Sequence, residues 1–232
     1  MTSRPSPEIP AVLRRGGPPV FPDPRRADGD GLVAIGGDLS VDRLRAAYAS
    51  GIFPCYGDDT PPLWWSPDPR AILDPDHVHV SRRLARRMRQ ARLRVTWDRD
   101  LRGVMTACGE RRRDGRWILP EMIEAYVRLH RAGHAHSVEA WDGDRLVGGL
   151  YGVRVGALFA AESMFHRATD ASKVALVTAV RTLFAAGVEL FDVQYLTDHL
   201  ASMGAYEVPR ERYLERAARA AATPLEPRLP RG

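Results

Sequence analysis

The stretch HSVEAWDGDRLVGGLYGVRVGALFAAESMF, residues 136–165, contains three apolar runs separated by two short turns. Each turn, DGD at 142–144 and RVG at 154–156, carries a glycine, which tolerates the backbone angles that tight hairpins need. Apolar runs of this length joined by such turns are typical of antiparallel strands. The stretch therefore predicts a three-stranded antiparallel meander.

Helical patterns flank the meander, and a further strand follows it. PEMIEAYVRLHRAG (120–133) begins with proline and ends with glycine, the residues preferred at those two positions of a helix. ASKVALVTAVRTLFAAG (171–187) also ends on glycine, VELFDVQY (188–195) has the pattern of a strand, and RERYLERAARAA (210–221) has that of a closing helix. This order predicts an α+β fold with a mostly antiparallel sheet flanked by helices.

The first part of the chain differs in character from the rest. Its first 30 residues are rich in Pro, Arg and Gly and show little periodicity, and one short helix, VDRLRAAYAS (41–50), then follows Ser40. We interpret residues 1–68 as a small N-terminal domain and residues 69–232 as a second, larger domain.

The composition excludes several classes of protein. The 232 residues are 44% hydrophobic and 27% charged, and no run approaches the roughly 18 apolar residues that a membrane span needs. The proline-broken N-terminus has no apolar signal core, which predicts a cytoplasmic protein. Two isolated cysteines, Cys55 and Cys108, argue against a disulfide framework or structural zinc. The net charge of +5 suits a nucleic-acid partner without requiring one.

An arginine-rich helix is the first candidate for binding RNA. Ser81 can cap SRRLARRMRQARL, and no acidic residue occurs between Asp76 and Asp98. An ordinary surface helix interleaves glutamates for i,i+4 pairing. The pattern therefore favours a phosphate-binding face over a merely solvated one. The arginines of this face are Arg82, Arg86 and Arg89, with Arg83 beside them.

The segment ESMFHRATDASK (162–173) leads from a strand through a loop into a helix N-terminus, a position that attracts anions. Lys173, the only lysine of the chain, falls in the first turn of that helix, where a cation opposes the helix dipole. We interpret Lys173 as a residue that binds an anionic substrate. The alternatives are a solvent-facing lysine or one paired with Glu162.

The strand FDVQY (191–195) carries two polar side chains on one face. Alternation along a strand places Asp192 and Gln194 together, with Phe191, Val193 and Tyr195 on the opposite face. Polar groups on a largely apolar strand need hydrogen-bond partners or face a cleft. Asp192 and Gln194 are therefore either site residues or a satisfied pair at a strand edge.

Three tryptophans, Trp64, Trp65 and Trp117, could stack on unpaired nucleotides, although tryptophan more often packs in a core. The histidine pairs 77/79 and 134/136 lack a third ligand at metal spacing, so no metal site is predicted. The meander followed by a helix is also the order of coenzyme A-dependent acetyltransferases. Their glycine-rich pyrophosphate loop is missing before Ala171, which disfavours coenzyme A.

Taken together, the sequence resembles the leucyl/phenylalanyl-tRNA–protein transferases. The matching text includes GLVAIGGDLS, GIFP, LWWSPDPR, HVSR, AYVRLHRAGHAHSVEAW, LVGGLYGV, ESMF, ASK, DVQ and HLASMGA, in order over residues 20–215. The resemblance implies transfer of Leu, Phe and less readily Met from aminoacyl-tRNA to an N-terminal Arg or Lys of a protein, which marks it for the N-degron pathway. It also implies a C-terminal domain of the acetyltransferase-like (GNAT-like) fold, a monomer, and no metal or organic cofactor.

The resemblance also implies roles for particular residues. Asp192 corresponds to the proposed base, acting directly or through Gln194, or else it holds the acceptor ammonium, and Glu162 corresponds to an acid that holds the substrates. The arginine face corresponds to the contact with the tRNA acceptor stem. For the aminoacyl group and the tRNA end, the residues nominated are Leu150, Phe159, Ser163, Met164, Leu176, Ala179 and Leu183, together with Trp64, Trp117 and Lys173.

Two departures from the family pattern carry expectations. The family usually has GIFPWY where this chain has GIFPCY, so Cys55 replaces a tryptophan that stacks on the terminal adenine, a loss of about 1–3 kcal/mol unless Trp64 or Trp117 compensates. Ala179 and Leu183 replace aromatics, which predicts a roomier pocket and a gain of Phe over Leu. The alternative to an active transferase is a catalytically weakened tRNA-binding protein of the same fold.

Overall fold

The computed structural model describes residues 10–110 and 118–225, and it confirms the α+β architecture. The helices of this part are α1 (Val41–Ala49), α2 (Arg82–Arg89), α3 (Leu101–Gly109), α4 (Pro120–Arg131), α5 (Ala171–Ala185), α6 (Asp198–Ser202) and α7 (Arg210–Ala222). Its strands are β1 (Ala11–Leu13), β2 (Leu32–Gly36), β3 (Phe53–Pro54), β4 (Leu63–Trp65), β5 (Arg70–Ile72), β6 (Arg94–Trp97), β7 (Ala135–Asp142), β8 (Arg145–Val155), β9 (Leu158–His166), β10 (Leu190–Gln194) and β11 (Tyr206–Val208).

The strands form two sheets. The first has four strands in the order β1-β2-β4-β3 and lies within the N-terminal part of the chain. The second has seven strands in the order β11-β5-β10-β9-β8-β7-β6. All of its pairs are antiparallel except β9 with β10, because the chain crosses over through α5 between these two strands.

The predicted meander is the centre of the large sheet. In its register Val138 lies opposite Leu150, and Leu150 lies opposite Met164. Because residues opposite one another on neighbouring strands share a face, this row of apolar side chains lies on one side of the sheet. Val138 and Leu150 are fully buried there, in the same apolar cluster as α5.

The opposite face of the meander packs against α3, α4 and the N-terminal sheet in a second apolar cluster. Trp64 on β4 belongs to this cluster and has no exposed surface. Its indole Nε1 donates to the carbonyl of Gly36 at 2.8 Å, and the ring of Phe21 meets it edge-on with centroids 4.8 Å apart. The prediction that Trp64 binds substrate is therefore wrong, because the side chain is enclosed in the core.

Within the described part of the chain, none of the helices has the length and apolarity that crossing a bilayer requires.

Candidate active site

A cavity of about 250 Å³ opens where the N-terminal sheet meets the end of β10. Its walls come from β3, β8, β9, β10 and α6. Its lining surface is mostly apolar, with six polar side chains among fourteen residues, a mixture found in small-molecule pockets. The lining residues are Phe53, Pro54, Cys55, Leu150, Ala161, Glu162, Ser163, Met164, Val193, Gln194, Tyr195, Thr197, His199 and Leu200.

Strand β10 ends in a tight turn that shapes this cavity. Gln194 has a φ of +64°, a region that side-chain-bearing residues rarely adopt, and the N–H of Tyr195 donates to the carbonyl of Val193 at 2.8 Å. This is a γ-turn centred on Gln194, of the rarer and more strained hand. Strand alternation fails here, so Val193, Gln194 and Tyr195 all line the cavity, contrary to the predicted separation of Tyr195 from Gln194. Such strain is often found at functional sites.

Asp192 lies behind the cavity wall in a buried ion pair. Arg70 donates to its carboxylate through Nε at 2.8 Å and through Nη2 at 2.6 Å, and the Tyr213 hydroxyl donates at 2.9 Å. The backbone N–H of Gln194 donates to Asp192 Oδ1 at 2.9 Å. Asp192 has no exposed surface and does not line the cavity, and its contact with a cavity-lining residue is the bond to Gln194.

Arg70 is itself held on both sides by aromatic rings. Its guanidinium carbon lies 4.7 Å from the ring centroid of Phe53 and 4.4 Å from that of Tyr213. Burial lowers the pKa of Arg70, but the charge and hydrogen bonds of Asp192 together with the nearby Tyr213 and Glu162 raise it by more, so the net shift is upward. The guanidinium therefore stays charged, and its hydrogen bonds to Asp192 and Tyr213 fix β10 to β5 and α7.

Glu162 and Gln194 form the polar end of the cavity. The Gln194 amide Nε2 donates to Glu162 Oε1 at 2.6 Å, and the Tyr126 hydroxyl donates to Oε2 at 3.3 Å, with the Tyr48 hydroxyl against that of Tyr126. Burial raises the pKa of Glu162 to about 7, and the charge of Asp192 adds to the effect, while the hydrogen bonds oppose it. A carboxyl group with this pKa can exchange a proton near neutrality.

The structure places only some of the residues nominated for the aminoacyl pocket around the cavity. Leu150, Ser163 and Met164 line the cavity. The other four nominated side chains are completely buried in the core between α5 and the large sheet: Phe159, Leu176, Ala179 and Leu183. Their assignment to the substrate pocket is wrong, because they pack against one another away from the cavity surface. The expected gain of Phe over Leu rested on Ala179 and Leu183, so its basis is removed.

The mouth of the cavity carries one half-exposed aromatic ring. Tyr195 is 47% exposed, and its ring meets that of Phe53 edge-on at 5.8 Å. Cys55 lines the same cavity, and its carbonyl accepts a hydrogen bond from Trp65 Nε1 at 2.7 Å. Trp117 lies outside the described residues. Trp64 is buried, so among the described residues Tyr195 is the half-exposed aromatic side chain that lines this cavity.

The predicted cationic residues lie outside this cavity. Lys173 falls in the first turn of α5, as predicted, but it lines a second cavity beside α2. Glu162 bonds to Gln194 and Tyr126 rather than to Lys173. The arginines of the α2 face are exposed: Arg82, Arg83, Arg86 and Arg89.

The histidines do not form a metal site in the described residues, where no group of three or more metal-ligating side chains comes together. His136 instead contacts Asp98 through Nδ1 at 2.8 Å. His199 lines the first cavity, and burial followed by the charge of Lys173 lowers its pKa.

Sequence analysis did not identify several residues around the site, among them Arg70, Tyr213, Tyr126 and Tyr48. One available signal is the position of Arg70, a charged residue that opens the apolar run RAIL. A charge in such a run needs a buried partner. The partner Asp192 is 122 residues away, so its identity depends on the fold.

Comparisons with known proteins identify the same family over most of the chain. A family described as leucyl/phenylalanyl-tRNA protein transferase matches residues 72–218, and its N-terminal domain matches residues 37–68. The chain is similar to the leucyl/phenylalanyl-tRNA–protein transferase of Anaeromyxobacter sp. (strain Fw109-5), with 57% identity over 88% of each chain. It is also similar to that of Solidesulfovibrio magneticus, with 57% identity over 85% of this chain and 81% of the relative. The solved structure of L-PGS from Bacillus licheniformis matches 73% of this chain and 57% of its own at 12% identity, with a TM-score of 0.41, too distant a likeness to bear on function.

Proposed function

The chain belongs to the leucyl/phenylalanyl-tRNA–protein transferase family, and from this premise we propose that it transfers Leu, Phe and less readily Met from aminoacyl-tRNA to proteins that begin with Arg or Lys. The acceptors are thereby marked for the N-degron pathway. The proposal includes a cytoplasmic monomer that needs no metal or organic cofactor. The observation that carries it is the cavity itself, whose apolar wall ends at the Glu162–Gln194 pair.

The reaction is the aminolysis of an ester. The acceptor α-nitrogen attacks the aminoacyl carbonyl carbon, the new amide bond forms, and the ester C–O bond to the tRNA breaks. The amine gives up a proton and the departing ribose oxygen gains one. Because the ester is already activated, the protein contributes mainly by holding both substrates in reactive geometry.

Gln194 and Glu162 are the groups that we assign to the attacking amine. The Gln194 amide nitrogen is occupied by Glu162, and no donor within residues 10–110 and 118–225 bonds to its amide oxygen. That oxygen accepts a hydrogen bond from the acceptor amine, and Glu162 takes up the proton. Asp192 is then a positioning residue, because it holds the backbone of Gln194 while Arg70 occupies its carboxylate.

The apolar wall receives the aminoacyl side chain. Leu150, Met164, Val193 and Leu200 supply this surface. An apolar pocket distinguishes side chains by only about 1–3 kcal/mol per methylene group. Mixed use of Leu, Phe and Met is therefore consistent with such a wall.

The GNAT-like fold and the division at residue 68 belong to the same proposal. The four-stranded sheet ends at Trp65 and the seven-stranded sheet begins at Arg70, which supports a boundary between them. The parallel pair β9 and β10 joined by α5, beside an antiparallel meander, supports the acetyltransferase-like assignment. The arginines of the α2 face are assigned to the tRNA acceptor stem because they are exposed and lack acidic neighbours on their own helix.

A transfer assay tests the proposal. Purified protein is mixed with Leu-tRNA or Phe-tRNA and a peptide beginning with Arg, with a peptide beginning with Glu as the control. We expect Leu and Phe to be transferred to the Arg peptide only.

Cys55 gives specific support to one alternative, a tRNA-binding protein with weakened catalysis. Binding of charged tRNA without transfer would favour that alternative.

Tyr195→Ala is expected to raise KM for charged tRNA about 5- to 150-fold, the effect of losing one base-stacking platform. The terminal nucleoside lies at the cavity mouth when its amino acid lies inside, next to the exposed ring of Tyr195. Tyr195→Phe is the matched control and should stay within about twofold of wild type, since the ring is retained. Equal effects of the two substitutions would contradict stacking and indicate a role for the hydroxyl group.

A further inference from the structure

A second cavity of about 280 Å³ lies beside the first, between the start of α2, the first turn of α5 and the end of α6. Two cationic side chains, Arg83 and Lys173, line it, and so do the residues Ser81, Thr169 and Ser202, which carry hydroxyl groups. Cationic and hydroxyl groups around one space are the groups that bind a phosphate.

The charges around this cavity are unbalanced. Asp170 is its carboxylate, with one oxygen 3.9 Å from Arg83 and 3.6 Å from Arg87. Lys173 is half-buried, and within residues 10–110 and 118–225 its ammonium group has no ion-pair partner. Arg83 and Arg87 therefore share one carboxylate, and among the described residues none is left for Lys173. A partly buried, unpaired ammonium is costly, and an external anion would remove that cost.

The second cavity lies one short helix away from the first. Thr197, His199 and Leu200 line the first cavity, whereas Ser202 and Met203 line the second, so α6 separates them. A five-residue helix is about 7.5 Å long. The influence of Lys173 on the pKa of His199 agrees with this short separation. In the last nucleotide of a tRNA, the distance from the ribose hydroxyl that carries the amino acid to the 5′ phosphate is similar.

We propose that the second cavity binds the phosphodiester joining the last two nucleotides of the donor tRNA, with Lys173 and Arg83 as its cationic ligands. This inference rests on the proposed function, because the aminoacyl group in the first cavity fixes where that phosphate lies. Arg83 also belongs to the arginine face of α2, so the acceptor strand continues from the second cavity onto that face.

The test is the salt dependence of tRNA binding by Lys173→Gln. Arg181→Gln is the matched control, because it removes one positive charge from an exposed position of the same helix, away from the cavity. Losing one phosphate contact on a single strand should reduce the slope of log K against log salt by about 0.7. We expect Lys173→Gln to show this reduction and to raise KM for charged tRNA about fivefold, the effect of losing one partly exposed ion pair. Arg181→Gln should leave both quantities close to wild type.

Asp170→Asn provides a test with the opposite sign. It removes the carboxylate that competes for the two arginines, so charged tRNA should bind more tightly. An unchanged salt slope in Lys173→Gln, or a change in KM for the acceptor peptide instead of the tRNA, would overturn the phosphate assignment. If wild-type protein binds tRNA but transfers nothing, while Lys173→Gln still lowers the slope, the proposed function fails and the phosphate site stands.

Discussion

Asp192→Ala is expected to lower the free energy of unfolding by about 3–5 kcal/mol and to abolish transfer. The substitution leaves the guanidinium of Arg70 buried, 1% exposed, without the carboxylate that accepts two of its hydrogen bonds. It also removes the acceptor of the Gln194 backbone N–H, which holds the strained turn at the cavity. Urea unfolding and the transfer assay, carried out on the same preparation, measure the two effects.

A double variant separates the loss of stability from the loss of positioning. Replacing both partners with apolar residues, Arg70→Met with Asp192→Leu, removes the unpaired charge, so most of the stability should return. Transfer should not return, because Gln194 still lacks its acceptor. A double variant that transfers at the wild-type rate would show that Asp192 serves the fold alone.

Tyr213→Phe is the mild control for this experiment. It removes the hydrogen bond that Tyr213 donates to Asp192 and the one that it accepts from Arg70, and it leaves the ion pair in place, so we expect a loss of about 2 kcal/mol in stability. Transfer should remain close to wild type. A large loss of transfer in Tyr213→Phe would place the Tyr213 hydroxyl in the reaction itself.

The strands and helices around the site could be predicted because their periodicity is local. The meander, α4, α5 and β10 all occur where the apolar patterns and turn residues place them. The conformation of Gln194 could not be predicted from such local patterns. DVQY has the pattern of a strand, which does not predict a turn at Gln194. The turn that exposes Tyr195 occurs where Asp192 bonds to Arg70 and to the backbone of Gln194, and these contacts are visible only in the folded structure.

The apolar pocket was partly misassigned for a related reason. Periodicity shows that Leu176 and Ala179 are buried, but it does not distinguish burial against a sheet from burial against a substrate. That distinction depends on where β3 and α6 leave space beside Leu150 and Met164. Contacts between the N-terminal sheet and the end of β10 create this space, and they join residues that are distant in sequence.

Glu162→Gln is expected to reduce the transfer rate by about 10²- to 10⁴-fold, the contribution of a positioned general base. Glutamine keeps the shape of the side chain and can still bond to Gln194, but it cannot take up a proton. The wild-type rate should rise with pH through about 7, the pKa to which burial raises Glu162. The variant should retain only the titration of the acceptor amine, near pH 7.7–8.0.

Stability gives an independent measurement of the same pKa. Between pH 4.5 and about 7 the unfolded chain releases the Glu162 proton, whereas the folded chain keeps it, so the free energy of unfolding falls as the pH rises. A difference of this size amounts to about 3 kcal/mol, and Glu162→Gln should remove that slope.

The hydrogen bond from Tyr126 lowers the pKa of Glu162, so Tyr126→Phe should move the midpoints of both the stability and the transfer rate to higher pH. If Tyr126→Phe moves the stability midpoint but leaves the rate midpoint in place, Glu162 titrates without serving as the base, and the acceptor amine must lose its proton before it binds.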